Sequence, residues 1–553
     1  MKFLKSSSKS LLCSFLGTRW KPTRCFGSVR QIENEVERDC VKDEKRRLFQ
    51  NGLIPVGALT SKPYAFTARS WELKSTASVD VLDGVGSNIR VDTRGYEVMR
   101  ILPVLNENVN EEWISDKTRF AYDGLKRQRL SVPFVRLDEG QLVPTTWEKA
   151  RAILKNEIIR LEREYLGNGG FEAQAIIGPQ VEVEALLQFR RQFLYWFPGG
   201  SIHLQERRGG VPRTDFREDY LLNSTLSGIE TADVILLVGT NPRTEAPLLN
   251  TRIRKAVLYN QALVASVGCY ENLTYPVEHL GISPKTLREI AEGRHPFCVQ
   301  LALAKRPAIL VGNRALQRED GENIYRMVKC IAENSHMIRE DWNGFNVVHT
   351  GANTVGALDI GFDSKYRGLR TIDCERGNPW RRTKFLYLLN ADDVDGLDQL
   401  SQDCFVVYQG HHGDYGASIA NLILPGAAYT EKNATFVNME GRVQHTNLAF
   451  LPPYQAKEDA EILHDLIFPD IVLDIPQMGV EILGPHLLRS HQVQTGDPSV
   501  RPRDNMLQRQ QGECSTVPLG PPIENFYMTD PITRSSKTMA KCTRVQQLFN
   551  FEG

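Results

Sequence analysis

Cysteine is scarce and scattered in this chain. The ten cysteines among 553 residues, at positions 13, 25, 40, 269, 298, 330, 374, 404, 514 and 542, never fall within ten residues of one another. A C-x2-C pair is therefore absent, and with it the spacing on which zinc sites and iron–sulfur frameworks are built. Isolated cysteines such as Cys269, after an apolar run, and Cys404, before Phe405-Val406-Val407, read as small buried hydrophobes. Long apolar runs are lacking too. None approaches the roughly eighteen residues of a membrane span, so any membrane association runs through partners. Net charge of either sign is missing, with 67 basic against 67 acidic residues, but the balance is uneven. Residues 1–30 hold seven Lys/Arg and no Asp or Glu, leaving 60 basic against 67 acidic in the rest, which argues against a nucleic-acid surface. No G-x4-G-K-[ST], G-x-S-x-G or H-E-x2-H occurs. Spacing alone thus yields no phosphate cradle, hydrolase nucleophile or metalloprotease site.

What is present begins with the basic, serine-rich opening MKFLKSSSKSLLCSFLGTRWKPTRCFGSVR, whose apolar patch is confined to residues 11–16. It reads as a mitochondrial presequence with a mature start near Phe26 or Gly27; the plainer alternative is a disordered basic tail. Disulfides are not expected in a matrix protein. Residues 31–52 are charged and suit an exposed helix or an extended arm. From Val79 to Pro103, β-favouring alternation broken by glycines predicts short strands. Thr145, with Glu148 three residues on, predicts a capping box opening a helix that runs to about Tyr165.

The middle of the chain repeats one theme, a short apolar run and then a helical stretch. The runs start at Ala175, Asp233, Ala262, Pro307, Lys384 and Cys404. Unbroken runs of five or six apolar residues are what strands buried on both faces look like, and their alternation with helices implies parallel crossovers. Ala434 to Gln444 predicts a hairpin turning at Glu440-Gly441. Beyond Pro453 the pattern weakens, residues 493–522 read as a polar, Pro-rich linker, and a helix-like stretch closes the chain.

Four polar motifs have both a chemical and a structural reading. Gly84-Val85-Gly86 is part of a dinucleotide fingerprint, but Ile89 stands at the third glycine position, which favours a tight turn between strands. The loop from Gly239 to Pro247 lies where α/β sheets bind ligands; an ordinary strand-to-helix connection capped by Asn241 or Thr244 is the simpler reading. His411-His412, flanked by glycines, could ligate a metal, yet adjacent side chains normally point apart, which favours a satisfied loop. Glu431, Asn438, Glu440 and Arg442 could form an acid/base set, but with no matched nucleophile a solvated hairpin face is preferred.

Residues 78–91, SVDVLDGVGSNIRV, resemble the domain opening of molybdopterin-type oxidoreductases, where three cysteines stand at C-x2-C-x3-C and a fourth follows. Here those positions read Asp80, Asp83, Ser87 and Ser115. Further stretches, PVGALTSKPYAFTARSWE from Pro55, the run from Asn110 to Arg129, DVILLVGTNPRTEAPLLNTRIRK from Asp233, YQGHHGD from Tyr408 and LPGAAYTEKNATFVNMEGR from Leu424, resemble the large iron–sulfur subunits of respiratory NADH:ubiquinone oxidoreductase (complex I). The family motif Cys-Pro-Val-Gly-Ala reads Ile54-Pro55-Val56-Gly57-Ala58.

The resemblance implies an α/β fold: a molybdopterin-oxidoreductase-like body with doubly wound, mostly parallel sheets, a small β-rich N-terminal subdomain and an extended C-terminal tail. It implies a presequence at 1–27, a docking segment at 28–77, a β-rich subdomain without cluster cysteines at 78–140, the α/β body at 141–455 and the C-terminal extension at 456–553. It further implies no catalytic residue, no metal and no cofactor, since carboxylates and hydroxyls at positions 80, 83, 87 and 115, and Ile54, cannot replace thiolates. The expected role is a structural subunit of the NADH-oxidising arm, on the matrix side of the mitochondrial inner membrane. Its expected partners are a separate polypeptide bearing the [2Fe–2S] and [4Fe–4S] clusters and other matrix-arm subunits. An active molybdopterin enzyme of formate-dehydrogenase type is the alternative.

Overall fold

The structure, a computed structural model, describes residues 61–205, 216–362, 380–466 and 516–550, apart from a few positions within those spans. Ile54, the presequence and most of the docking segment lie outside them. Phe66–Arg544 is one compact unit; Met1–Ala65 with Val545–Gly553 is counted as another, little of which is described.

The alternating segment after Lys74 forms a three-stranded antiparallel sheet of β1 (Lys74–Val79), β2 (Asn88–Arg94) and β3 (Glu97–Pro103). Gly95, at φ 63°, takes the left-handed conformation in the link between β2 and β3. Ile89, Val91 and Ile101 turn inward to the subdomain's core.

The apolar runs build two further sheets. One joins β4 (Phe134–Arg136), β5 (Leu142–Pro144), β6 (Glu172–Ile177) and β7 (Ser201–Leu204) to strands that arrive much later. Between them the chain makes a five-stranded, all-parallel sheet from β8 (Val234–Val238), β9 (Leu263–Val267), β10 (Glu278–Gly281), β11 (Pro307–Gly312) and β12 (Phe345–Val348), in the order β10-β9-β8-β11-β12. The first sheet is then completed by β13 (Thr383–Leu389), β14 (Phe405–Gly410) and β15 (Leu422–Pro425), in the order β5-β4-β15-β14-β13-β6-β7. Its β4 and β5 run antiparallel at one edge. Finally β16 (Ala434–Val437) and β17 (Val443–Thr446) form the expected hairpin.

The unbroken apolar runs follow from two-sided burial. In β8, Leu236 and Val238 enter one core while Ile235 and Leu237 enter the opposite one. In β13, Phe385, Tyr387 and Leu389 face one core and Leu386 and Leu388 the other. Helices Val183–Trp196 and Pro247–Asn260 supply part of the cover.

Two details differ from expectation. The helix Trp147–Asn168 is capped by Thr146, whose hydroxyl accepts from Lys149 N–H at 3.4 Å; with Lys149 rather than Glu148 at the third helical position, no capping box forms at Thr145. The described end of the C-terminal region, residues 516–550, is folded. Leu519 packs into a core of the five-stranded sheet, and Ile532 and Met539 pack into the core of the N-terminal subdomain.

Candidate functional site

The connection between β1 and β2 carries three of the four singled-out positions. Asp80 N–H donates to Ser87 O at 2.9 Å and closes the loop. Gly86, at φ 68°, has no room for a side chain: a Cβ there would lie 2.4 Å from Gln444 Oε1. At Gly84 it would lie 2.4 Å from the His349 carbonyl. The glycines thus serve a tight turn pressed against the β16–β17 hairpin, and the dinucleotide reading falls away.

Asp80 Oδ1 accepts from Leu82 N–H at 3.2 Å and its Oδ2 from the Thr118 hydroxyl at 2.6 Å. Asp83 Oδ1 accepts from Val85 N–H at 3.0 Å. Ser115 caps the short helix Asp116–Phe120, its Oγ accepting from Thr118 N–H at 3.0 Å and lying 2.7 Å from Thr118 Oγ1. The fold therefore joins Ser115 to Asp80 through Thr118. All four side chains are buried. Burial lifts the Asp80 carboxyl to about 7, aided by the neighbouring Asp83 and opposed by Lys117; it lifts Asp83 likewise, again against Lys117. Carboxylate and hydroxyl oxygens, with no thiolate among them, do not fit an iron–sulfur cluster. Among the described residues no three His, Cys, Asp or Glu side chains are placed to hold a metal ion.

The second cluster lies at the carboxyl ends of β14 and β15. His411 and His412 do not point apart: their Nδ1 atoms are 2.5 Å from one another, with the rings perpendicular. Burial pushes His412 down to about 3, with Arg129 adding to the effect, and holds His411 well below its usual value. His412 Nε2 meets the Gly124 carbonyl at 3.1 Å.

The hairpin residues are not a solvated face either. Glu431 is buried against Arg129, and Asn438 Nδ2 donates to Val85 O at 2.9 Å. Glu440 Oε2 accepts from Leu226 N–H at 3.0 Å, and only Arg442 reaches out. The reason is that the hairpin is sandwiched between the β1–β2 loop and the body.

Sequence reasoning missed the centre of this region, Lys432. Its ammonium donates to Glu182 Oε2 at 2.5 Å and to Asp459 Oδ2 at 2.9 Å, all three being almost fully buried. Burial alone would depress that ammonium, but Asp459 and Glu182 more than offset it and raise it. Burial lifts Glu182 to about 8 against the pull of Lys432. No spacing signal could have joined partners 250 residues apart.

Two of the places where α/β sheets bind ligands can be followed in the described residues. At the ends of β6 and β7 a cavity lined by Ile177, Gly178, Pro179, Val181, Asn353 and Thr354 measures about 10 Å³, room for a single water and far from the volume of a pterin. After β8, Asn241 caps the turn Pro242–Glu245, and Glu245 turns back to accept from Asn241 N–H at 2.8 Å, so the Gly239 loop is the plain connection that was expected. Cys404 is buried as expected, whereas Cys269 is only half-buried.

Comparison with known proteins decides between the two families of redox protein that share this architecture. The family described as "Molybdopterin oxidoreductase" matches residues 129–467. "NADH-ubiquinone oxidoreductase NDSU1/NuoG-like, 4Fe-4S domain" matches residues 73–123, and a third family, a C-terminal domain of NADH-ubiquinone oxidoreductase, matches 500–542. The chain is 46% identical over 517 residues to the NADH-ubiquinone oxidoreductase 75 kDa subunit of Reclinomonas americana, covering 90% of this chain and 72% of that protein.

The chain belongs to the family of NADH-ubiquinone oxidoreductase 75/78 kDa subunits.

Two other members of this complex I family are the iron-sulfur protein 1 of Solanum tuberosum, 43% identical over 94% of this chain and 67% of its own length, and the 78 kDa subunit of Candida albicans, 42% identical over 93% and 70%. A solved formyltransferase/hydrolase complex of Methylorubrum extorquens overlaps 63% of this chain and 100% of its own at 13% identity and a TM-score of 0.43, too distant to carry an argument. Asp80, Asp83, Ser87 and Ser115, the positions set against a cysteine pattern by resemblance, all fall within the match to the family's 4Fe-4S domain.

Proposed function

We propose that this complex I subunit works as a cluster-free scaffold on the matrix side of the inner membrane. In this reading it holds a separate polypeptide that carries the [2Fe–2S] and [4Fe–4S] clusters at the spacing electron transfer requires. Family membership makes the chain part of mitochondrial complex I; the division of labour is the proposal. The observation that carries it is the loop from Asp80 to Ser87. It lies inside the match to the family's 4Fe-4S domain, yet its side chains at 80, 83 and 87 offer buried oxygens and no thiolate. Ile54 in place of the motif's cysteine points the same way. The chain covers 72%, 67% and 70% of the lengths of the three relatives named above.

The domain assignment that accompanies this reading is a presequence at 1–27, a docking segment at 28–77, the β-rich subdomain at 78–140, the body at 141–455 and the extension at 456–553. Other matrix-arm subunits would contact the remaining surface. Among the described residues no helix is long and apolar enough to cross a membrane. None of the relatives named above is a formate-type dehydrogenase.

Purification of the native complex tests the reading. The chain separated from it is expected to carry no iron or molybdenum, and a second polypeptide of the same complex is expected to carry the clusters. Stoichiometric iron with acid-labile sulfide in this chain would sink the proposal.

A further inference from the structure

The five-stranded sheet reverses its strand order between β8 and β11: from β8 the chain moves outward through β9 and β10, then returns to lay β11 and β12 on the other side. The crevice outside the carboxyl ends of the strands at such a reversal is where open α/β sheets take their ligands. Its floor here is backbone. Gly239 follows β8, Gly268 follows β9 and Gly312 ends β11. The three crowd one another: a Cβ on Gly268 would lie 3.4 Å from Gly239 Cα, and one on Gly312 2.5 Å from the Gly239 carbonyl oxygen.

A piece of chain from far along the sequence covers that floor. Leu519, 1% exposed, has its Cδ1 3.5 Å from where a Cβ on Gly239 would stand and its Cβ 3.7 Å from one on Gly268. Its N–H donates to Ile282 O at 2.8 Å, and the Cys269 thiol donates to its carbonyl at 3.0 Å. Arg318 donates to Pro518 O at 2.8 Å and to Val517 O at 3.2 Å, and Arg314 donates to Pro522 O at 2.7 Å. These are the contacts of a bound peptide. Residues 517–522, Val-Pro-Leu-Gly-Pro-Pro, belong to no helix or strand, and only Leu519 and Pro522 among them are buried. Proline-rich extended segments are recognised in this way, by apolar anchors and by donors to their carbonyls, because little chain entropy is left to lose. The segment also lies within the C-terminal family match at 500–542, outside the match at 129–467 that supplies the crevice. With so few buried anchors it opens at lower free energy than the sheet beneath it.

We propose that the crevice between the ends of β8, β9 and β11 is a peptide groove, and that residues 517–522 are its exchangeable resident, a latch anchored by Leu519. The latch opens without the sheets unfolding. It keeps the groove from other occupants because it is tethered to the same chain, where a linked segment competes at an effective concentration in the millimolar range. This inference is independent of where the clusters reside.

Cys269, whose thiol bonds to the latch, is a built-in reporter, and the buried Cys404 reports on wider unfolding. The experiment treats the full-length chain and its Leu519→Ala variant with iodoacetamide and reads each cysteine by peptide mass spectrometry. Leu519→Ala is expected to speed alkylation of Cys269 by about tenfold or more, with Cys404 unchanged. A synthetic peptide of residues 516–525, added to the variant at about 1 mM, is expected to slow Cys269 back toward the wild-type rate. The same peptide carrying Leu519→Asp should give no protection. If Leu519→Ala does not fold, Leu519→Val, which keeps more of the apolar contact, makes the same comparison with a smaller rise. Equal Cys269 rates in wild type and variant would mean that the segment does not gate the crevice. Cys404 rising together with Cys269 in the folded variant would make the segment part of the core, and a peptide that fails to protect would mean that the crevice is no groove for it. Each of these overturns the proposal.

Discussion

Lys432 is a charge held in the interior by two carboxyl groups. The side chain is 2% exposed and its two carboxyl partners, Glu182 and Asp459, are as deeply buried. Asp459 is held in turn by Asn390 Nδ2 at 3.1 Å and Gln409 Nε2 at 2.9 Å. Removing one member of such a set leaves an uncompensated charge, so Lys432→Met is expected to cost about 3–5 kcal/mol, read as a lower urea midpoint at unchanged m-value. His412 contributes to acid sensitivity. Its folded pKa of about 3 lies below the ordinary value of 6.5, so between those pH values the unfolded chain binds a proton that the folded chain refuses. Stability is therefore present in full above pH 6.5 and lost as pH falls toward 3, by about 2 kcal/mol at pH 5 from this ring alone. Urea unfolding at pH 5 and pH 7.5 checks it: His412→Gln should show the smaller difference between the two. Of these residues, the Asp80–Ser87 set was legible because its members are neighbours in sequence. The Lys432 set was not, because its partners are 250 and 27 residues away and only the sheet topology brings them together.

At the level of elements, legibility followed burial. Strands such as β8 and β13 declare themselves because each residue must suit one of two cores. Strands β4 and β5 have three residues each and β10 is largely exposed, so their own sequences hold no such pattern; they are strands because a neighbour pairs with them. The split into two parallel sheets was equally hidden, since nothing in an apolar run says which sheet it will join. A close approach gives the element-scale test. A Cβ on Gly124 would lie 2.0 Å from the Ile532 carbonyl, where the 3-10 turn Ala121–Lys126 meets the helix Pro531–Ser535. Gly124→Ala is expected to cost about 1–3 kcal/mol, as overpacked sites do. The loss should be local: limited proteolysis should cut faster between residues 520 and 545 while the parallel sheets stay protected.

For the molecule as a whole, the C-terminal segment reaches all three larger sheets. Leu519 N–H donates to Ile282 O at 2.8 Å, and Arg314 and Arg318 donate to the carbonyls of Pro522 and Pro518 at 2.7 and 2.8 Å, tying the segment to the five-stranded sheet. Thr538 N–H donates to Asp123 Oδ2 at 3.1 Å, and Thr529 receives Lys117, which ties it to the N-terminal subdomain. Arg534 pairs with Asp414 at 2.5 Å just beyond β14, in the seven-stranded sheet. A scaffold needs such a strap, because sheets with separate cores otherwise unfold as separate units. Deleting residues 516–553 removes every one of these ties together with the apolar contacts of Leu519, Ile532 and Met539, while the deleted stretch contributes no strand to any sheet. Scanning calorimetry of the full chain is expected to show one main transition, and the truncated chain at least two, the lower of them from the three-stranded subdomain that loses part of its core. A single unshifted transition after truncation would mean that the sheets are coupled through their own faces. The strap would then be dispensable for the rigidity that a spacing role demands.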